Sequence, residues 1–440
     1  MTPPATTRLD AFPRLHLRPD HGWVNDPNGL LRAADRYHVF FQHNPDRPRH
    51  DAICWGHATS TDLLTWEHQP VALRPRPGGP DAAGCWSGVA TVDDGVPTLV
   101  YTAVESTPTD SAVVLAPAAD PRDPRLTAWQ PETVPVEGMP PVAGIDQVRD
   151  PFLFRAGGHR WAVQGAGLDD GTPLVLVYLA DDLHAWEYRG VLVEGPPGST
   201  AAALAEADIW ECPQLVEIGG RWVLVVSLWH RDEGHTLRGV AALVGDLDMS
   251  ELAGGVEGDG APRFVAASGG RLDTGPDFYA PQALAEPDRV LVLGWTWEAR
   301  DQDEVDAAGW AGALTFPREL YLDGDRAASR PATELAGLRR EVLHEARADD
   351  GVAVEVPAFE VEAVTAGRVR LALDGPAGIR DVWTGDVVPG GRLLVDGSVV
   401  EVFAGPVPHT VRAYPAAGER WTVTADTPLT VHRLGLPGTP

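Results

Sequence analysis

One pattern recurs five times along this chain and restricts its fold more than any other feature. Each copy has a short polar entry, an apolar strand, a turn of Gly or Asp type, and a second apolar strand. The copies are NDPNGLLRAADRYHVFFQ from Asn25, WSGVATVDDGVPTLVYTA from Trp86, RDPFLFRAGGHRWAVQG from Arg149, ECPQLVEIGGRWVLVVS from Glu211 and YAPQALAEPDRVLVLGW from Tyr279. Anchored on Pro27, Gly88, Pro151, Pro213 and Pro281, they stand 61, 63, 62 and 68 residues apart. Between them, TDLLTWEHQPVAL (from Thr61) and DDLHAWEYRGVLV (from Asp181) share a D-L-x-x-W-E core, and PRLTAWQPETVPV (from Pro124) is a looser copy. A fixed period with two hairpins per unit is the signature of a radially repeated sheet. The sequence therefore predicts an all-β fold, with a five-bladed β-propeller over residues 1–322 whose closure protects its sheet edges.

Past the fifth unit, residues 323–340 are polar and read as a linker with a short helix. Residues 341–440 carry short alternating strands, as in GRLLVDGSVVEVFAG and HTVRAYP. That pattern predicts a C-terminal β-sandwich.

The repeat changes the reading of three acids. Taken alone, HGWVNDPNG (from His21) is a strand end with a polar turn. The residue before proline is pushed to extended geometry, and Pro27-Asn28-Gly29 has the residue types of a tight turn. In the repeat, however, Asp26 immediately precedes the first anchor proline and Asp150 the third, while Glu211 lies two residues before the fourth. Equivalent positions on the innermost strands of a propeller face one central channel, so the three acids are expected to converge. Burying like charges together raises at least one pKa. Packing gives no reason to do this; acid/base chemistry does. Units two and five set Ser87 and Ala280 at this level, beside Trp86 and Tyr279, leaving a pocket suited to one sugar ring.

Composition narrows the partner. A formal charge of −28 and a pI near 4.7 exclude the basic footprint that nucleic acid requires. All 35 basic residues are arginine, and the acidic balance favours a neutral substrate. The 15 tryptophans fit both β-core packing and flat platforms for sugars. Three cysteines, none in a CxxC pair, argue against a disulfide framework or a zinc site and fit a reducing compartment. With no apolar leader-like run at the N-terminus and no 18-residue apolar stretch, a cytoplasmic protein without a membrane partner is expected. No feature speaks for a particular oligomeric state.

At these residues the chain also resembles a known family. WVNDPNG, FQHNP (from Phe41), WGHATSTD (from Trp55), WSGVA, RDP, WECPQL, DFYAPQ (from Asp277) and WAGALTFPREL (from Trp310) together resemble glycoside hydrolase family 32, the β-fructofuranosidases. The resemblance runs from about His21 to Leu320, and LLVDGSVVEVF (from Leu393) is similar to the family's C-terminal module. It implies Asp26 as nucleophile, Glu211 as general acid/base and Asp150 as stabiliser of the transition state through fructose hydroxyls. Asn25, Gln42, Trp55, Trp86, Ser87 and Arg149 would line the fructosyl pocket, with Tyr279 beside them. No cofactor or metal is implied. Two departures stand out: Val24 where methionine is common, and Gly275-Pro276 where many members have a Gly-His pair, a change with a bearing on substrate preference.

The implied reaction releases terminal β-D-fructofuranosyl units from sucrose or short fructo-oligosaccharides. Glu211 must start protonated and Asp26 ionised; a retaining enzyme holds the two carboxyls about 5–5.5 Å apart, an inverting one about 6.5–9.5 Å. A fructosyltransferase, an inverting arabinanase or xylosidase on a similar propeller, and a non-catalytic sugar-binding propeller are the alternatives. Elsewhere the residues read as ordinary structure. Cys212 is expected to be a buried small residue that positions Glu211. Asp396 and Glu401 read as surface or turn residues of a hairpin, and Glu298–Asp306 as a solvated loop. His43 and His57 lack metal-ligand spacing and read as packing or sugar contacts.

Overall fold

The computed structural model describes residues 9–231, 236–252, 255–256 and 260–438. Five sheets are arranged as the blades of a propeller, and an eight-stranded sheet folded as a sandwich follows them. The innermost strands are Gly22–Ala33, Gly84–Asp93, Ile145–Ala156, Ile209–Ile218 and Phe278–Ala285, and each of them carries one copy of the repeat. Each pairs with the next strand in sequence as an antiparallel hairpin, so short Gly- and Asp-rich turns suffice. The D-L-x-x-W-E motifs lead into the outermost strands Glu67–Leu73 and Glu187–Glu194. Blade two has three described strands, and its outer edge is held by isolated bridges, Ala118 to Trp129 and Val113 to Glu137. The ring is closed by Trp310–Ala311, from the chain that follows blade five, which pairs in parallel with Gly22 and Trp23 of blade one.

Two expectations are corrected here. Residues 323–340 are not a plain linker: Arg326–Pro331 is a strand paired with Arg318–Asp323, the outer hairpin of blade five. A 3-10 helix, Thr333–Leu338, then leads directly into the sandwich strand Arg339–Val354. Nor is Pro27-Asn28-Gly29 a turn. It lies inside the strand Gly22–Ala33, whose register with Arg36–Asn44 shifts between Val24 and Pro27 and again between Asn28 and Leu31. Proline and glycine mark β-bulges in this strand, with Gly29 at φ +53°.

The same device recurs in every blade. Register shifts fall between Trp86 and Gly88, Arg149 and Phe152, Glu211 and Gln214, and Tyr279 and Gln282. Each blade therefore bends its innermost strand at one level of the channel. Three bulge residues, Asp150, Cys212 and Ala280, hold φ values of +60°, +47° and +45°, each directly before a proline. A left-handed backbone costs a non-glycine residue about 1–2 kcal/mol, so the bend in these three blades must be stabilised by its surroundings.

Hydrogen bonds between blades supply part of that stabilisation. The backbone N–H of Asp150 donates to Thr102 Oγ1 at 2.8 Å, and that of Ala280 to Ser227 Oγ at 3.1 Å, each on the preceding blade. The N–H of Cys212 donates to the Asp150 carboxylate at 2.9 Å. The bulged N–H groups, which no ladder can satisfy, thus find partners one blade away. Asn28, Gln214 and Gln282 extend the ring: Gly88 N–H donates to Asn28, Gly29 N–H to Gln282, and Gln282 to Gln214. Among the described residues no helix is long and apolar enough to cross a membrane.

Candidate active site

The bulges open into a cavity of about 460 Å³ at one end of the channel. Asp26, Asp150 and Glu211 all line it, as do Asn25, Gln42, Trp86, Ser87, Arg149 and Tyr279. Of the residues that the resemblance assigns to the acids and the fructosyl pocket, Trp55 alone is absent from the wall. It is fully buried behind it, its indole N–H donating to the Trp86 carbonyl at 3.1 Å and its ring packed against Phe40 and Tyr101. Trp55 supports the Trp86 backbone and does not reach the cavity.

Asp26 is held from two sides. Ser87 Oγ donates to its Oδ2 at 2.6 Å and Asn25 Nδ2 to its Oδ1 at 3.0 Å. Behind these, Gln42 Nε2 donates to Ser87 Oγ at 2.8 Å and Trp23 Nε1 to Asn25 Oδ1 at 2.7 Å. The acid therefore has one orientation, with each partner fixed by a partner of its own. Burial drives its pKa up to about 6 and the charge of Glu211 adds to this, while the Ser87 and Asn25 hydrogen bonds pull the other way.

Glu211 is gripped differently. Arg149 donates to its Oε1 from Nε at 3.0 Å and from Nη2 at 2.9 Å, and the Tyr279 hydroxyl donates to Oε2 at 2.6 Å. Arg149 anchors one oxygen through two charge-assisted donors and Tyr279 the other, and together they fix the carboxyl. Arg149 also donates to Gln147 and lies 5.9 Å over the ring of Trp229. Asp150 completes the set, with its pKa up to about 7: burial raises it, Arg149 opposes this, and the Glu211 charge adds to it. Cys212 is buried, as expected, but its role differs: its N–H and thiol contact Asp150, and its sulfur lies 3.7 Å from Asp26 Oδ2.

Several wall residues escaped the sequence reading: Trp23, His50, Gln147, Trp229, Leu237 and Trp295. Trp295 pairs with Tyr279 across the hairpin, so the register of that hairpin was the one signal that pointed to it. Other candidates lie outside. His43 is buried and contacts the Trp23 carbonyl at 2.7 Å, and His57 packs on Phe40 and contacts His38, so both serve packing. The Glu298–Asp306 segment is only partly a loop: Gln302–Ala308 is a helix capped by Asp301, and Glu298 is buried, paired with Arg300 and Tyr414. Among the described residues no group of three or more His, Cys, Asp or Glu side chains is arranged to hold a metal ion.

Asp396 and Glu401 overturn the surface reading entirely, with exposures of 1% and 0%. Asp396 accepts the backbone N–H groups of Arg14, Leu15 and His16, and its Oδ2 meets His16 Nδ1 at 2.8 Å. Glu401 contacts His16 Nε2 at 3.1 Å and accepts from Phe316 N and from Arg318. They bind the sandwich to the propeller, and a hairpin sequence cannot reveal that a second unit covers it.

A carboxylate trio, with Asp150 buried and Asp26 and Glu211 half-buried, at the mouth of a five-bladed propeller and facing tryptophan walls fits a glycoside hydrolase. Residues 16–331 match the glycosyl hydrolases family 32 N-terminal domain. The chain is 34% identical to a sucrose-6-phosphate hydrolase of Escherichia coli over 75% of its own length and 66% of that protein. It is 30% identical to a sucrose-6-phosphate hydrolase of Salmonella typhimurium over 95% and 91% of the two chains. Its fold superposes on a Bombyx mori GH32 beta-fructofuranosidase with a TM-score of 0.79 and 25% identity, covering 96% and 94%. The chain belongs to glycosyl hydrolase family 32.

Proposed function

We propose that this protein is a retaining β-fructofuranosidase acting on sucrose or short fructo-oligosaccharides, with Asp26 as nucleophile, Glu211 as acid/base and Asp150 as the group that binds fructose hydroxyls. The observation that carries this reading is that the acids sit in different environments. Asp26 is held by two neutral donors and titrates near 6, so at neutral pH it is mostly ionised and aimed. Glu211 is fixed through both oxygens by Arg149 and Tyr279, which holds its carboxyl in place for the acid/base role. Asp26 would attack the anomeric carbon as Glu211 protonates the leaving oxygen, and Glu211 would then take a proton from water as the fructosyl ester is hydrolysed.

The cavity also favours a neutral leaving group. Among its described lining residues the one guanidinium is Arg149, already committed to Glu211 and Gln147. His50 is held below its ordinary pKa by burial. Among the described lining residues a phosphate would meet a cluster of carboxylates and no uncommitted guanidinium, so unphosphorylated sugars are the preferred class. Three free buried cysteines accord with action inside the cell.

The test is a panel of sucrose, sucrose-6-phosphate, and inulin- and levan-type oligomers, scored for fructose and for the anomer first released. Release of β-fructose from sucrose, faster than from its phosphate, is the expected result. First release of the α anomer would assign an inverting enzyme, a glucose-to-fructose ratio well above one a transferase, and no release at all a binding protein.

A further inference from the structure

The sandwich strand His409–Arg412 lies directly against blade five, at the segment that leads into Tyr279. Thr274 N–H donates to the Pro408 carbonyl at 2.9 Å, and Asp273 accepts from both the N–H and the hydroxyl of Thr410. The approach is so close that a Cβ on Gly275 would lie 1.9 Å from the Thr410 carbonyl oxygen. Gly275-Pro276 therefore faces the sandwich and does not line the cavity. At the end of this strand, Arg412 crosses the seam and is buried. Its N–H donates to Asp277 Oδ2 at 2.7 Å. Its Nη1 reaches the carbonyls of Thr296 at 3.3 Å and Trp297 at 3.2 Å, and its Nη2 returns to Ser398 on the sandwich at 2.8 Å.

These contacts lead to two walls of the cavity. Asp277 is two residues before Tyr279, and its carbonyl accepts from Trp297 N–H at 3.1 Å. The Trp297 ring stacks on Trp295, with centroids 5.6 Å apart and planes at 14°, and meets the edge of Tyr279 at 6.4 Å. Trp295 lines the cavity, and Tyr279 both lines it and holds Glu211. We infer that Arg412 is a positioning residue: the sandwich uses its guanidinium to fix the Trp297–Trp295 stack and the Tyr279 approach, and so sets how tightly the propeller cavity binds sugar. The sandwich is thus part of the specificity apparatus and not only a stabilising appendage. The kinetic half of this inference rests on the fructosidase reading; the structural half does not.

The experiment compares wild type, R412M and R412K on sucrose, with W297F as a reference. R412M is expected to raise KM about three- to tenfold with a smaller fall in kcat, because uniform binding is lost while Arg149 still holds Glu211. R412K keeps the charge but not the planar fork, and should recover part of the affinity. R412M should also lose the exciton circular dichroism of the Trp295–Trp297 stack, as W297F does, in the absence of any sugar. A purely structural role would lower Tm and the active fraction with KM and the couplet unchanged, which would overturn the inference. If R412M does not fold, R412K decides: a KM at least about twofold above wild type supports positioning, and a wild-type KM and couplet refute it. Failure of wild type to release fructose would overturn the fructosidase reading instead, and the circular dichroism comparison would still decide the role of Arg412.

Discussion

At the floor of the cavity three carboxylates, Asp150 buried and the other two half-buried, stand around one guanidinium; at the seam between propeller and sandwich three fully buried ones share an arginine and a histidine. The first set is Asp26, Asp150 and Glu211 with Arg149. The second is Asp273, Asp396 and Glu401 with Arg318 and His16. In the seam nearly every oxygen is occupied. Burial pushes Glu401 up, but Arg318, His16 and the Phe316 N–H outweigh it and hold the carboxyl below its usual range. Burial pulls His16 down, yet its two carboxylate partners raise its pKa overall. In the cavity the balance is reversed, and Asp26 and Asp150 are driven up. The lesson is that the acids are the same and the supply of partners differs. Full pairing makes a clamp, whereas a deficit of cations leaves carboxyls whose pKa values are raised.

The comparison breaks most clearly at the acids themselves. D26A and E211A should each lower kcat by at least about three orders of magnitude, measured on sucrose at saturating concentration. A loss under tenfold would remove the assigned role. E401Q should do the opposite, leaving kcat/KM of folded protein within about twofold while costing about 3–5 kcal/mol of stability in urea unfolding, because Arg318 and His16 lose their charged partner. D396A belongs with it, since three backbone N–H groups lose their acceptor.

Stability against pH sharpens the contrast further. The native state holds a proton on Asp26 more tightly than the unfolded chain does, so this group erodes stability as pH rises from about 4 to its folded value of about 6. D26N should therefore be more stable than wild type by about 1–3 kcal/mol at pH 7, with the gain vanishing near pH 4. His16 has its own window. Its raised pKa contributes stability that is complete below about 6.5 and is lost as pH climbs through the folded value, so H16N should flatten the alkaline slope only. The smallest effect is on catalysis. The acid limb of kcat/KM should fall near pH 6, and S87A should move it upward by about half a unit to one unit, since a hydrogen bond to the charged form is removed.

Much of the fold was legible because a repeat states the same instruction five times. The positions of Asp26, Asp150 and Glu211 relative to their anchor prolines were enough to bring them together, since innermost strands share one channel. The mistakes have physical causes as well. DPNG has turn residues, yet the bend it makes is a bulge within a strand, a distinction that depends on which neighbour supplies hydrogen bonds. Trp55 lies on a strand beside the cavity, but the inner strand stands between its ring and the opening.

What the sequence determined, then, is the blade count and the meeting of Asp26, Asp150 and Glu211 at one level of the channel. Periodic patterning and local residue types carry that information. Only the tertiary structure decided which tryptophans form the wall, which donors hold each carboxylate, and that Asp396 and Glu401 are buried ionic clamps. Those outcomes depend on surfaces brought together from distant parts of the chain, where the partner that satisfies or exposes a charge leaves no trace in its immediate neighbours.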